Sequence, residues 1–214
     1  MSARFLDDEA RRAFDEAIAR IERESAIEVV VAVRRASARY LHVNLIVGAL
    51  VAFAGLAAML FASYPFTFTA ILVDPFLVGL AAGMLVELLP GLKRVLTPRR
   101  VRDLGVHRAA RATFVERGVH NTIDRSGLLV YISWLEQEVA LVPDSGLAAA
   151  FTPGAVAAAE ATLDREMAAG GAAVARALAE LATSLAGVMP RRADDRNELP
   201  DRLVDELSRR RWQR

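Results

Sequence analysis

Two long apolar stretches, residues 41–62 and 67–92, lie in the middle of a chain whose other apolar positions recur at the spacing of ordinary helices and strands. A transmembrane helix needs about 20 predominantly apolar residues to cross a hydrocarbon core of about 30 Å. The first stretch meets this requirement, and its strong polar interruptions, His42 and Asn44, lie near its start. The pattern therefore predicts a two-helix transmembrane hairpin that is inserted into the remaining sequence.

An acidic residue and a proline, Asp74 and Pro75, interrupt the second stretch. Aspartate is a favoured helix cap, and proline is favoured at the first helical position. We therefore expect Asp74 to cap a helix that begins at Pro75, with residues 63–73 forming a short aromatic segment at the headgroup level. This arrangement avoids a charged aspartate in the middle of the bilayer.

A second acidic residue, Glu87, lies near the far end of the same stretch. An ionisable residue within a transmembrane segment is a functional candidate by default. Asn44 and His42 lie toward the same end of the first span, so Glu87 is expected to form an interhelical hydrogen bond there or to pair with Lys93. Transport of a solute past Glu87 would need several copies of the chain, because two transmembrane helices with one acidic residue do not enclose a path for the solute.

Before the hairpin, the pattern predicts a helix and a buried strand. Apolar residues recur at helical spacing within residues 7–25, and Asp7 or Asp8 is the expected cap. Glu28–Arg34 contains five consecutive apolar residues, four of them valine. Such a run is typical of a strand that is covered on both faces, so we expect a central strand.

After the hairpin, the pattern predicts a helix from about Thr97 to near Gly118. Two apolar runs follow, residues 127–134 and Glu138–Pro143, and a polar corner separates them. Runs of this length that are separated by a short polar turn are typical of an antiparallel pair of strands.

Three further sequence patterns predict the structure of the carboxyl-terminal part. Thr152 and Pro153 have the pattern of a cap and a first helical residue, and the two glycines at 170–171 should end the helix that follows. The next helix carries apolar residues on one face, namely Val174, Leu178, Leu181, Leu185 and Val188. Residues 191–214 are dominated by charge, and we expect a tail with a short helix after Pro200.

Together these elements predict an α/β fold, a small three-layer α/β/α sandwich with a short mixed sheet that the transmembrane hairpin interrupts. The strands on either side of the hairpin should lie parallel, which requires a crossover over one face of the sheet. A crossover that enters a bilayer must return to the same side, and two spans satisfy this condition. The chain then divides into the first part of the α/β domain (1–40), the hairpin (41–92), the second part of the domain (93–190) and the tail (191–214).

Composition narrows the class of protein. Of the 214 residues, 54% are apolar and 25% are charged, so the apolar residues must be divided between lipid and a packed core. A formal net charge of +1 argues against nucleic-acid binding. The chain has no cysteine, which excludes disulfides and thiolate metal sites, and its charged first 40 residues do not resemble a secretory leader.

Cations flank the hairpin on both sides. Arg34, Arg35 and Arg39 precede the first span, whereas Lys93, Arg94, Arg99, Arg100 and Arg102 follow the second. The connection between the spans has neither lysine nor arginine, which predicts a multi-pass protein of the inner (cytoplasmic) membrane with both termini cytoplasmic. The five cations after the second span are also predicted to contact anionic lipid, at about 1 kcal/mol each. The alternative is that they only mark the topology.

A motif in the second part of the domain carries a family resemblance. Residues 122–133 read TIDRSGLLVYIS and residues 136–147 read EQEVALVPDSGL. Together they resemble the signature of the TPM domain, a family with chloroplast photosystem II repair proteins and bacterial membrane-anchored members. Residues 195–200 resemble the ending of a bacterial branch with an internal membrane hairpin. The resemblance implies an α/β/α sandwich, in agreement with the pattern above.

The resemblance also implies a chemistry. Acid phosphatase activity is associated with the plant members, and divalent metal binding with an acidic cluster at the strand ends, to which Asp124 and Asp144 correspond. Calcium or magnesium prefers such oxygen ligands and would orient a phosphate for attack. The amino-terminal Asp-x-Ala-Gly element of many members has no counterpart in residues 5–9. Alternatively, both aspartates serve turns, because aspartate close before a glycine commonly bonds its own backbone.

Two functions remain open. The first is a non-catalytic, membrane-tethered binding module for the assembly or maintenance of membrane complexes. Its partners would be the bilayer, another membrane protein and, through the hairpin, further copies of the chain. The second is a low-efficiency, metal-dependent acid phosphatase that uses Asp124 and Asp144. We prefer the first, because the sequence contains no Walker loop, no Gly-x-Ser-x-Gly and no complete catalytic constellation.

Overall fold

The computed structural model describes residues 5–38, 40–191, 199, 202–205 and 207. The helices are α1 Asp8–Glu24, α2 Leu41–Phe61, α3 Phe68–Glu87, α4 Pro90–Leu96, α5 Arg99–Glu116, α6 Ser145–Ala150, α7 Ala155–Glu166, α8 Gly171–Glu180 and α9 Ala182–Val188. The strands are β1 Glu28–Arg34, β2 Gly127–Ser133, β3 Glu138–Pro143 and β4 Arg202–Asp205. The chain divides into two compact units, an α/β unit (Met1–Ser37 and Asp103–Arg214) and a hairpin unit (Ala38–Arg102).

The sheet of the α/β unit has the strand order β3-β2-β1-β4. β1 lies parallel to β2, with Val31 opposite Val130, and parallel to β4, with Val31 opposite Leu203. β2 and β3 form an antiparallel pair. The structure confirms the mixed sheet, the central position of β1 and the hairpin of β2 and β3.

Successive side chains of β1 and β2 enter two different cores, as the two-residue period of a strand requires. Val31 and Val130 pack in one core with α1, α7, α8 and α9. Leu129 and Tyr131 pack in the other with Val106 and Ala110 of α5. The sheet is therefore covered on both faces, which gives the predicted three-layer α/β/α arrangement.

Helix α1 has the bounds and the buried face that its sequence predicts. The side chain of Asp7 accepts a hydrogen bond from the backbone N–H of Ala10 at 2.9 Å, which caps the first turn. The buried face consists of Ala10, Phe14, Ala17, Ile18 and Ile21.

The expected start of the second apolar helix is wrong. Helix α3 begins at Phe68 rather than Pro75, because Thr67 caps it by accepting a hydrogen bond from the N–H of Ala70 at 3.3 Å. Pro75 lies inside the helix and is accommodated against Gly55 of α2, which has no side chain to exclude it. Asp74 is therefore an exposed residue inside α3 and not its cap.

Two expectations for the carboxyl-terminal part are also wrong. Helix α7 begins at Ala155 after Gly154, whose φ of 84° is left-handed, so Thr152 and Pro153 precede the cap. The segment after Pro200 contains strand β4 instead of a helix, because the outer edge of β1 offers backbone groups that need partners. The remaining tail residues, 192–198, 200–201, 206 and 208–214, lie outside the described residues.

Within the part of the chain that the structure describes, three helical segments are long and apolar enough to cross a membrane, namely α2, α3 and Gly171–Val188. The third comprises α8 and α9, and its Val174, Leu178 and Leu185 belong to the core beside α1. We therefore assign it to the interior of the α/β unit. Helices α2 and α3 instead expose large apolar side chains along their length, as the predicted membrane hairpin requires.

Candidate functional site

A polar cluster joins the two hairpin helices at the end that adjoins α4. Asn44 Nδ2 donates a hydrogen bond to Glu87 Oε2 at 2.8 Å, and Lys93 Nζ donates to the same oxygen. Two of the partners considered for Glu87, Asn44 and Lys93, are thus engaged at once. The cluster ties α2, α3 and α4 together and compensates the charge of an acid at the end of an apolar helix.

The two hairpin helices approach closely above this cluster because small residues line their contact. A Cβ on Gly79 would lie 2.5 Å from the carbonyl oxygen of Gly48 and 2.7 Å from Cβ of Ala52. A Cβ on Gly83 would lie 2.9 Å from the carbonyl oxygen of Asn44. Gly79 and Gly83 form a Gly-x-x-x-Gly pair, which permits such backbone contact between membrane helices.

The five cations predicted to contact lipid occupy different environments. Arg94, Arg99 and Arg100 are exposed, and Arg102 is partly exposed. Lys93 is only 6% exposed and is paired with Glu87. The sequence analysis grouped Lys93 with the other cations as a lipid contact and also named it as an alternative partner of Glu87, and the structure shows the second role.

The segments that carry the two predicted metal ligands lie side by side in the α/β unit. The N–H of Leu147 donates to the carbonyl oxygen of Arg125 at 3.1 Å. A Cβ on Gly146 would lie 2.4 Å from the carbonyl oxygen of Asp124, so only glycine fits there. The sequence spacing therefore does bring the Asp124 and Asp144 turns together.

The two carboxylates have different surroundings. Asp144 is buried and caps α6, and its Oδ1 accepts a hydrogen bond from the N–H of Ser145 at 2.6 Å. Its Oδ2 lies 3.9 Å from Nη1 of Arg125. Asp124 is exposed. Calcium takes six to eight oxygen ligands, and no group of three or more acidic or histidine side chains suited to a metal occurs among the described residues.

A buried polar network lies at the carboxyl ends of β1 and β2. Glu136 is only 2% exposed, and it accepts hydrogen bonds from the N–H of Ser37 at 3.0 Å and from the hydroxyl of Ser133. The Ser37 hydroxyl donates to Ser133 Oγ at 2.8 Å and lies 3.1 Å from the Tyr131 hydroxyl. Sequence analysis missed this network, because its members are separated by almost 100 residues. It holds Ser37, the last residue before the hairpin unit, against the β2–β3 turn.

An open cleft of about 600 Å³ lies in the α/β unit between α5, β3 and α7. Its polar lining comprises His107 and Arg111, one turn apart on α5, and Glu160 of α7. Its apolar lining includes Val142, Pro143, Phe151, Pro153 and Val156. Its volume lies within the range of ligand-binding clefts, but the cleft is open to solvent.

Helix α7 closes the outer edge of the sheet beside this cleft. Glu160 Oε1 accepts a hydrogen bond from the N–H of Leu141 at 2.8 Å, and Asp164 Oδ1 accepts one from the N–H of Val139 at 2.7 Å. Burial raises the pKa of the Glu160 carboxyl, and this outweighs the Leu141 hydrogen bond and the charge of His107, which lower it. The two carboxylates satisfy the backbone donors that an edge strand would otherwise expose.

No protein-family model matches the chain, and no curated protein matches it. Among solved structures, the chain is similar to the NMR structure of the BA42 protein from the psychrophilic bacterium Bizionia argentinensis. The sequence identity is 14%, the TM-score is 0.55, and the alignment covers 94% of each chain. At this identity the likeness supports the α/β fold alone.

Proposed function

We propose that the chain is an integral membrane protein whose α/β unit is a non-catalytic binding module for the assembly or maintenance of membrane complexes. One observation carries the membrane arrangement in this proposal. β1 and β2 are parallel neighbours over seven residue pairs, yet the chain between them includes a separate unit with two long apolar helices. Because one sheet is built from both flanks of the hairpin, both flanks must lie on the same side of a membrane.

The surface of the hairpin supports insertion into lipid. Its helices expose large apolar side chains, among them Leu45, Phe53, Leu60, Phe68, Leu72, Phe76 and Leu80. Contiguous apolar surface of this extent is rare on soluble monomers and marks contact with a membrane or with another protein.

The distribution of cations supports a cytoplasmic position for the α/β unit. Arg94, Arg99 and Arg100 are exposed immediately after the hairpin, where cytoplasmic loops carry their excess of positive charge. These exposed arginines would contact anionic headgroups. Lys93 is excluded from that role in the proposal, because it already neutralises Glu87.

The cleft lined by His107, Arg111 and Glu160 is the surface of the α/β unit that we assign to binding. It places His107 and Arg111 opposite Glu160 between apolar walls, so we assign to it a partner that presents an acidic group to the two basic side chains and an apolar group beside it. The resemblance of residues 122–147 to the TPM domain supports a role in maintaining membrane complexes.

Reporter fusions test the membrane arrangement. Reporters at Met1 and at Arg214 should both be active in the cytoplasm, and a reporter in the connection near Tyr64 should be active on the other side. Opposite locations for the two ends would refute the proposal, since one sheet could not then form from both flanks.

Affinity purification of the full chain from native membranes tests the binding role. A partner that copurifies with the natural protein should be lost when His107 and Arg111 are both changed to alanine. Arg108→Ala is the matched control, because Arg108 is an exposed arginine of the same helix that does not line the cleft. If the double variant recovers as much of the partner as the natural chain does, the cleft is excluded as the binding surface.

A second candidate function is a low-efficiency, metal-dependent acid phosphatase, which the close backbone contact between the Asp124 and Asp144 turns favours. Phosphate release by the purified protein with calcium or magnesium should then fall in Asp124→Asn and Asp144→Asn. NMR signals of Gly127 and Gly146 should also shift as either metal is added. Unchanged release in both variants would remove this candidate.

A further inference from the structure

Asp74 lies on the outer surface of the hairpin. It is the seventh residue of α3 and is exposed, whereas its neighbour Pro75 is buried against Gly55 of α2. Among the residues that the structure describes, Asp74 has neither a hydrogen-bond partner nor an ion pair. It therefore differs from Glu87 of the same helix, which Asn44 and Lys93 both bind.

The depth of Asp74 follows from helix geometry and rests on the membrane insertion proposed above. At a rise of 1.5 Å per residue, Asp74 lies about 20 Å along α3 from Glu87 and about 9 Å from Phe68. Glu87 marks the polar end of the span, and the hydrocarbon core is about 30 Å thick. An aspartate side chain is too short to bring its carboxyl group across the remaining distance to the far interface.

The hairpin itself contains no cation that can reach Asp74 within the bilayer. Residues 41–92 include neither lysine nor arginine, and His42 lies at the opposite end of the hairpin. A second copy of the chain has the same residues and therefore brings another acid to this level instead of a base. Charge complementarity thus points to a different protein.

We propose that Asp74 binds a lysine or arginine on a transmembrane helix of a partner membrane protein. The partner's cation would lie about 9 Å inside the non-cytoplasmic end of the hairpin. The contact surface, here the Asp74 face, consists of Val73, Asp74, Leu77 and Val78, all exposed on one side of α3. Its apolar residues would pack against the partner helix while the ion pair selects it.

The test is photo-cross-linking of the full chain in native membranes, with a photoreactive amino acid in place of Leu77. In the chain that keeps Asp74, this photoreactive amino acid should form an adduct with a different membrane protein, one that carries a lysine or arginine in a predicted transmembrane span. Asp74→Asn should reduce this adduct about tenfold or more, because it leaves the partner's cation unpaired in lipid. Asp74→Glu should retain most of the adduct.

Two controls complete the design. The same photoreactive residue in place of Phe53, an exposed position on α2, should give a yield that does not depend on residue 74. Exchange of charges, with Asp74→Lys in this chain and the cation changed to aspartate in the partner, should restore the adduct at the Leu77 position.

Three outcomes would overturn the inference: an adduct that persists in Asp74→Asn, an adduct between two copies of the chain, or labelling of lipid alone. Carbonate extraction of the same membranes separates this failure from failure of the proposed function. A chain that is extracted as a peripheral protein contradicts the membrane insertion, whereas an inserted chain with an adduct insensitive to residue 74 contradicts only the ion pair.

Discussion

The two units of this protein pack their interiors in opposite ways. In the α/β unit, large side chains such as Phe14, Leu129 and Tyr131 are completely buried. In the hairpin unit, the contact between α2 and α3 is made by Gly48, Gly79 and other small residues, while the large side chains point outward. The large apolar side chains of the sheet are thus inside, whereas those of α2 and α3 are mostly outside.

The membrane insertion proposed above accounts for this difference. Water drives large apolar side chains into a core, because each one that is buried removes apolar surface from water. Lipid gives no such driving force between helices, so close backbone packing and hydrogen bonds must hold them together. The inverted pattern is therefore the one expected of a hairpin that is inserted into a membrane.

The largest difference between the two units should appear when one phenylalanine in each is truncated and the free energies of unfolding are compared. Phe14→Ala leaves a cavity in the main core and should lower the free energy of unfolding by about 3–5 kcal/mol. Phe53→Ala, at a side chain that is 73% exposed on α2, should change it by less than about 0.5 kcal/mol. Denaturant titration of both variants in detergent micelles measures this, and similar losses would contradict the inverted packing.

Removal of the buried Glu136 carboxylate in the α/β unit should give the next largest loss of stability. Glu136→Ala leaves the N–H of Ser37 and the hydroxyl of Ser133 without their acceptor, which should cost about 1–3 kcal/mol or more. Hydrogen exchange at the Ser37 amide should accelerate. Glu24→Ala is the control, because Glu24 forms an exposed pair with Arg20, and unchanged exchange at Ser37 would contradict the role of the network.

A single methyl group should disturb the hairpin. Gly79→Ala places a carbon 2.5 Å from the backbone oxygen of Gly48, so the helices must separate at a cost of about 1–3 kcal/mol. Distances between spin labels on cysteines introduced at Leu50 and Leu77 should increase in this variant. Gly91→Ala is the control, since nothing lies within 4 Å of a Cβ at that position, and equal distances in both variants would refute the close contact.

The smallest expected effect concerns pH. Burial raises the pKa of Glu160, so the folded state binds its proton more readily than the unfolded state. The contribution of Glu160 to the free energy of unfolding is present below pH 4.5, the ordinary pKa of this carboxyl group. It is lost as the pH rises through the pKa of the folded state. Glu160→Gln should flatten the dependence of melting temperature on pH just above 4.5, and a variant with the natural slope would contradict this assignment.

Much of the architecture could be predicted from local patterns. The five apolar residues of β1 indicated a strand covered on both faces, and Asp7 indicated the start of α1. Two of the three errors share one cause. Thr67 rather than Asp74 caps α3, and Arg202–Asp205 form a strand rather than a helix, because each outcome depends on a distant neighbour, Gly55 beside Pro75 and β1 beside β4. The third error, the cap of α7, has a local cause, the left-handed backbone of Gly154.

The candidate sites were less predictable than the fold. The spacing of Asp124 and Asp144 around an antiparallel pair of strands was enough to bring their turns together. The Ser37–Glu136 network and the cleft at Glu160 have no comparable signal, since their members come from separate elements with unrelated spacing.

The sequence by itself determined where apolar length suits a membrane and where a two-residue or helical period suits a core, because these are properties of neighbouring residues. Only the tertiary structure decided which distant groups satisfy the exposed donors of β3, which strand completes the sheet beside β1, and that Glu87 is paired while Asp74 is not. Hydrogen bonds and ion pairs of this kind depend on distances in space, and local patterns do not encode those distances.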